Sequence, residues 1–299
     1  MRVFVTGASG WIGSTVVTEL LGSGHQVLGL ARSDASAESV ARLGADVQRG
    51  SLEDLDSLRA GAAAADSAVH LGYHHDFSQM ERAAQIDLAA IEAVGAVLEG
   101  SGGALVIASG TLGLAPGRVG TERDVPDAAV HPRVANALAA LAFAERGVRP
   151  VVVRFAPTVH GAGDHGFVAA LVATARDKGV SAYIEAGENR WPAVHRIDAG
   201  RLVRQAVLEA PGGSVLHAVA EEGVPTREIA EAIGRGLDVP VVSIPAAQAM
   251  DHFAWLGGFF GADAPASNTL TCELTGWAPT HPGLIADLDE GHYFETPIS

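Results

Sequence analysis

The stretch Thr6-Gly7-Ala8-Ser9-Gly10-Trp11-Ile12-Gly13 follows the apolar run Val3-Phe4-Val5 and opens a helical pattern. Three glycines at this spacing have separate tasks. Gly7 permits the tight turn out of a strand, Gly10 lets the backbone approach a pyrophosphate, and Gly13 lets the helix lie close on the sheet. The free amides at such a helix start face negative phosphates. A glycine triplet alone says little. Its place at the first junction of a strand–helix array makes it a dinucleotide-binding turn.

Outward from that turn, short apolar strands are expected at 2–6, 26–31, 45–48, 67–71, 104–109 and 150–155. Helical patterns lie near 11–22, 35–43, 55–60, 79–99 and 132–146, the fourth with Met80, Ala84, Leu88, Ile91, Gly95 and Leu98 on one face. Alternation of this kind predicts an α/β fold, a Rossmann-type doubly wound parallel sheet. Beyond Phe155 the pattern loosens. Asp164 is placed to cap a helix over 167–177, a second helix over 226–235 puts Ile229, Ala230, Ile233 and Leu237 on one stripe, and 214–219 reads as a strand. The tail from Pro245 carries Phe253, Trp255, Phe259, Phe260 and Trp277, an apolar cluster for a small lid. The expected organisation is a dinucleotide-binding domain over 1–160, with returning segments near 195–220, and a small C-terminal α/β region over 161–299 that covers substrate.

Composition removes several classes. The 299 residues are 48% apolar and 18% charged, which argues against disorder and coiled coil. With 20 basic against 35 acidic residues, net charge −15, a nucleic-acid surface is not expected. Cys272 is the only cysteine, so neither an internal disulfide nor a multi-thiolate metal site can form. No run of about 18 apolar residues offers a membrane span. The opening Met1-Arg2-Val3-Phe4-Val5 runs into glycines rather than a long apolar segment, as expected of a cytoplasmic chain.

The end of the second strand bears on which dinucleotide is bound. An acid there binds a ribose 2′-hydroxyl, whereas an arginine accommodates a 2′-phosphate. The chain reads Leu30-Ala31-Arg32-Ser33, with Asp34 one or two places late for the usual acid. Arg32 offers a planar fork and Ser33 a hydroxyl, so NADP is expected over NAD.

The order of motifs resembles an extended or atypical short-chain dehydrogenase/reductase, the superfamily that includes sugar-nucleotide epimerases, dehydratases and many carbonyl reductases. The residues carrying it are the glycine turn, His70-Leu71-Gly72, Ser109-Gly110-Thr111, Arg154 through Gly161, and Val194-His195-Arg196-Ile197-Asp198. The resemblance implies backbone contacts to cofactor from Ser9 to Ile12 and Leu52 beside the adenine, with Ser51 where many relatives carry an acid. It runs Leu71, Gly72 and Tyr73 past the ribose and nicotinamide, and sets Pro157 and Val159 at the carboxamide end. Asp87 stands where relatives often have asparagine. A homodimer through two helices is also implied.

The family's usual catalytic pair, a tyrosine and a lysine four residues apart, is missing. Lys178 is the only lysine, and Tyr73, Tyr183 and Tyr293 have Phe77, Gly187 and Pro297 four residues on. At the expected place the chain reads His131-Pro132-Arg133-Val134-Ala135-Asn136-Ala137, with Arg133 for the tyrosine and Ala137 for the lysine. Arginine does not titrate near neutrality, yet it can hold an oxyanion, a phosphate or a carboxylate. Ser109 and Thr111 can orient a carbonyl, or simply form the turn after the strand. His74, His75, His131, His160 and His165 are candidate proton carriers or substrate contacts, each with a simpler reading as a loop or core residue. Their spacing matches no zinc signature, so no metal is expected. Trp191 suggests an apolar or ring-shaped substrate, and core packing explains it equally well. The reading is an NADP-dependent oxidoreductase of a small organic carbonyl or alcohol. The alternatives are a non-catalytic NADP(H) sensor, or an epimerase or non-redox lyase on the same fold.

Overall fold

The computed structural model describes residues 1–75, 79–127 and 132–295. Its first half alternates β1 (Arg2–Thr6), α1 (Trp11–Gly22), β2 (Gln26–Ala31), α2 (Asp34–Arg42), β3 (Asp46–Arg49), α3 (Leu55–Ala63), β4 (Ser67–His70), α4 (Met80–Leu98), β5 (Ala104–Gly110), α5 (Pro132–Ala142) and β6 (Arg149–Phe155). The second half runs β7 (Thr158–His160), α6 (Phe167–Lys178), β8 (Ser181–Ile184), β9 (Arg190–His195), α7 (Arg196–Leu208), β10 (Ser214–Ala218), β11 (Glu221–Pro225), α8 (Thr226–Leu237) and β12 (Val241–Ile244). The short helices α9 (Ala249–Phe253), α10 (Gly257–Phe260), α11 (Thr269–Thr275) and α12 (Leu284–Asp289) complete the tail.

Seven parallel strands form the main sheet in the order β10-β6-β5-β4-β1-β2-β3. Both faces are covered, which is why its strands are continuously apolar. Val3 and Val5 join the cluster of α1 and α7, whereas Phe4 between them packs with Leu58, Ile91 and Val94 of α3 and α4. Two smaller sheets, β11-β9-β7 and β12-β8, build the C-terminal region. Its core gathers Trp191, Phe253, Phe260, Ile229 and Leu284.

The first-half elements fall within a few residues of expectation. The helix expected over 132–146 ends at Ala142 and tightens into a 3₁₀ turn, Phe143–Arg146, closed by Gly147 in the left-handed region. Helix α7 carried no start signal, because its N-cap is a histidine. The His195 Nδ1 accepts the Ile197 amide at 3.3 Å, a task usually given to Ser, Thr, Asp or Asn. Asp164 stands two residues before Gly166, the N-cap of α6; its Oδ1 accepts the Gly166 amide at 2.6 Å and its carboxylate also meets the Ala169 amide in the first turn. Trp277 corrects the single-lid picture of the tail, since it packs in the main-sheet cluster and its indole N–H donates to the Asp198 carbonyl at 3.0 Å.

Asp198, fully buried at the start of α7, ties this tail to the main domain. Its carboxylate accepts the amides of Thr280 (3.1 Å) and His281 (2.9 Å), and its Oδ1 lies 2.9 Å from the His281 ring. Burial opposes ionisation here, but these donors hold the carboxyl below its ordinary range. No helix among the described residues is long and apolar enough to cross a membrane. Asp198→Ala takes the buried acceptor from two half-buried amides and the His281 ring, and is expected to cost about 2 kcal/mol in urea unfolding.

Candidate active site

The turn after β1 has the shape a dinucleotide needs. Gly7 sits at φ +67°, and a Cβ there would lie 2.8 Å from the Gly72 nitrogen. A Cβ on Gly13 would lie 1.9 Å from the Gly7 carbonyl oxygen, so the first turn of α1 rests on the strand exit with no room for a side chain. Helix α1 has no side-chain cap and no acid in its first turn. The Trp11, Ile12 and Gly13 amides have no acceptor among the described residues. Three donors at a helix start, over an opening that only glycine backbone can line, fit a pyrophosphate. The Trp11 ring is held by its N–H to the Val159 carbonyl (2.7 Å) and by the Arg196 guanidinium stacked at 3.9 Å.

Across the turn, a buried polar chain fixes the end of β4. With Asp87 ionised, His70 Nε2 donates to it (3.1 Å), His70 Nδ1 accepts from the Thr6 hydroxyl (2.8 Å), and that oxygen accepts the Gly72 amide (3.0 Å). Asn136 closes the chain from α5, donating to Asp87 at 2.7 Å. Burial works against the Asp87 charge, yet the His70 and Asn136 donors and nearby Arg133 hold its carboxyl below the usual range. The chain positions Leu71, Gly72 and Tyr73, while Leu52 lies where a Cβ on Gly72 would meet it at 3.0 Å.

Arg133, one turn before Asn136, reaches back to β5. Its Nη2 donates to the Ala108 carbonyl at 2.8 Å, its guanidinium covers the Tyr73 ring at 4.1 Å, and its Nε is buried without an acceptor. It has no ion pair among the described residues. Burial pushes the Tyr73 phenol above its ordinary range against the pull of Arg133, so Tyr73 is a neutral phenol at neutral pH. Ser109, next to Ala108, makes no side-chain hydrogen bond among the described residues. Exposed His165 meets the edge of Trp11 at 5.5 Å. His74 and exposed His75 follow β4, the latter edge-on to Tyr73 at 5.3 Å; His131 and Asp76 lie outside the described residues.

Several expected side chains are turned elsewhere. Thr111 is buried with its hydroxyl on the Phe155 carbonyl at 3.4 Å, so it is a turn residue. Trp191 is fully buried in the C-terminal core, its N–H on the Ala262 carbonyl (3.1 Å), and does not face a substrate. His160 is fully buried too, with Nδ1 2.8 Å from Asp287. The Ser33 hydroxyl caps α2 through Ser36, and Asp34 pairs with Arg49 at 2.7 Å. Arg32 beside them is exposed and without an ion pair among the described residues.

Sequence reading missed a buried group at the same sheet edge. Arg154 lies beside Ser109 on β6, and its Nη1 donates to His217 Nε2 on β10 at 3.4 Å. Glu122 accepts the amide and hydroxyl of Thr271 on one oxygen, while its other oxygen is buried without a partner. Glu122 and Asp124 both act electrostatically on Arg154. Arg154 opened the motif through Gly161 quoted from the sequence, and it stands one residue before the end of β6, but nothing there announced its buried partners.

The described cleft is that of a dinucleotide-binding Rossmann protein. Residues 3–216 match the profile of the NAD dependent epimerase/dehydratase family, and the chain belongs to that family. It is 47% identical over 296 residues to the uncharacterized protein C2A9.02 of Schizosaccharomyces pombe, covering 98% of this chain and 100% of the relative. The uncharacterized protein YLL056C of Saccharomyces cerevisiae is 41% identical over 291 residues, 96% of this chain and 98% of the relative. Among solved structures, the UDP-glucose 4-epimerase of Thermotoga maritima with UDP-glucose has a similar fold, TM-score 0.78 at 18% identity over 98% of each chain.

Behind the cleft, the rings of His160, His195 and His281 line up, with His195 edge-on to the first (5.5 Å) and stacked on the last (4.7 Å). Burial, then repulsion from His160, lowers the His195 pKa from 6.5 to about 4, against the pull of Asp287. The folded state resists a proton that the unfolded chain accepts, so stability falls as pH drops from 6.5 to about 4 and this contribution flattens below that. His195→Gln is expected to make the decline shallower, as measured by urea unfolding across that range.

Proposed function

We propose that the chain is an NADP(H)-dependent oxidoreductase acting on a small organic carbonyl or alcohol. The observation that carries this reading is Arg133, a cation without an ion pair among the described residues, fixed on the carbonyl of Ala108, one residue before Ser109 at the carboxyl edge of the sheet. When bound, the nicotinamide supplies or accepts the hydride. The Trp11, Ile12 and Gly13 amides would hold its pyrophosphate, Arg32 the 2′-phosphate and Leu52 the adenine side. Leu71, Gly72, Tyr73, Pro157 and Val159 would line the nicotinamide half. Ser109 and Arg133 hold the substrate oxygen and stabilise negative charge on it. An arginine side chain is no proton donor near neutrality, so the proton for the product comes from water, the substrate or a histidine such as His74.

A second reading, an NADP(H)-binding sensor without turnover, is favoured by one fact: Ala137 stands where the family's lysine would be. The two separate in a fluorescence titration with NADPH and NADH, followed by NADPH consumption with aldehydes, ketones and imines. Selective binding with turnover supports the oxidoreductase. Selective binding without turnover moves the weight to the sensor, and no binding overturns both. Arg32→Ala should weaken NADPH about tenfold or more and leave NADH within about twofold, since only the 2′-phosphate loses its charged fork.

A further inference from the structure

We infer that the substrate of this site is a 2-oxo acid, or its 2-hydroxy acid partner, held by its carboxylate on Arg133. The inference rests on the oxidoreductase reading and goes beyond it by fixing the substrate's second functional group. Two arginines stand at this sheet edge. Arg154 donates to His217 and lies in the field of Glu122 and Asp124, without an ion pair among the described residues. Arg133 has no ion pair among the described residues, and Asp87, the described acid that acts on it, is engaged by His70 and Asn136.

The Arg133 guanidinium is also held rigidly. Tyr73 covers one face at 4.1 Å, the Ala108 carbonyl takes one Nη2 hydrogen at 2.8 Å, and the buried Nε–H has no acceptor. A neutral carbonyl leaves the charge uncompensated, whereas a carboxylate compensates it and accepts from the guanidinium N–H groups that it can reach. Spacing narrows the class further. Arg133 binds the carbonyl of Ala108, and the next residue is Ser109, whose hydroxyl has no partner among the described residues. Anchoring on consecutive residues of β5 favours a compact ligand, with its carboxylate and its reacting oxygen on adjacent carbons.

In the reducing direction, the keto carbon gains the hydride of NADPH. Its C–O π pair becomes an alkoxide beside Ser109 and Arg133, which takes a proton from water. The products are the 2-hydroxy acid and NADP⁺.

Oxamate and ethyl oxamate test this, because neither is reduced and only the first carries a carboxylate. With the protein saturated in NADPH, calorimetry should find oxamate binding at least about tenfold tighter than ethyl oxamate. Arg133→Gln should erase the preference and Arg133→Lys should keep part of it, both with NADPH affinity within about twofold and circular dichroism unchanged. Equal binding of the two probes, absence of oxamate binding, or a preference surviving in Arg133→Gln overturns the inference while the oxidoreductase reading stands. A large loss of NADPH affinity in both variants assigns Arg133 to the cofactor and overturns it as well. Failure of the wild type to bind NADPH removes the oxidoreductase reading and this inference together.

Discussion

The cleft is organised around one buried imidazole. His70 bonds to Thr6 on one side and Asp87 on the other, and through them it joins the ends of β1 and β4 to α4 and α5. Each group is buried, so any break leaves a polar atom without water to replace its partner. The chain also assigns every proton. An ionised Asp87 requires Nε2–H on His70, which makes Nδ1 an acceptor and leaves the Thr6 oxygen to receive the Gly72 amide. The backbone at Gly72 is thereby set against Gly7, and the rotation of α5 is set by Asn136. The position of Arg133 follows from that rotation.

Much of the first half was legible because each level of the sequence agreed. Apolar strands buried on both faces, the glycine turn and a long periodic helix all specify one arrangement. Arg133 was legible by count, about two dozen residues after Ser109 and at the tyrosine's place. The second half obscured its elements for local reasons. Helix α7 starts on a histidine cap, β7 has three residues, and β8 and β12 form a two-stranded pair that no alternation announces. Thr111, Trp191 and His160 misled because a residue type signals what a side chain can do and not where it points. In each, the group expected to face substrate is buried against a carbonyl or carboxylate instead.

Polar ties from the tail reach the same region from behind. Tyr293 receives the Gly161 amide at 3.1 Å and donates to Asp164 at 3.0 Å, while Asp287 holds His160. Burial raises the Asp164 carboxyl above its ordinary range, and burial together with Asp164 raises the Tyr293 phenol. The loop from Gly161 to Gly166, which carries His165 against Trp11, is therefore braced by residues more than a hundred positions away in sequence. An uncharged phenol between a loop amide and a carboxylate makes this brace directional.

The place of β10 has a consequence for synthesis. It is the edge strand beside β6, yet the chain travels through β7, α6, β8, β9 and α7 before supplying it. Ribosomes adding about 5–20 residues per second need ~3–12 s for the roughly 60 residues between them. During that interval the nascent sheet has six strands and an open apolar margin at Val151, Val152 and Val153, the kind of edge that pairs with other chains. The polypeptide thus depends on its own later half to seal its earlier one, and an elongation pause between the two prolongs its exposure to aggregation.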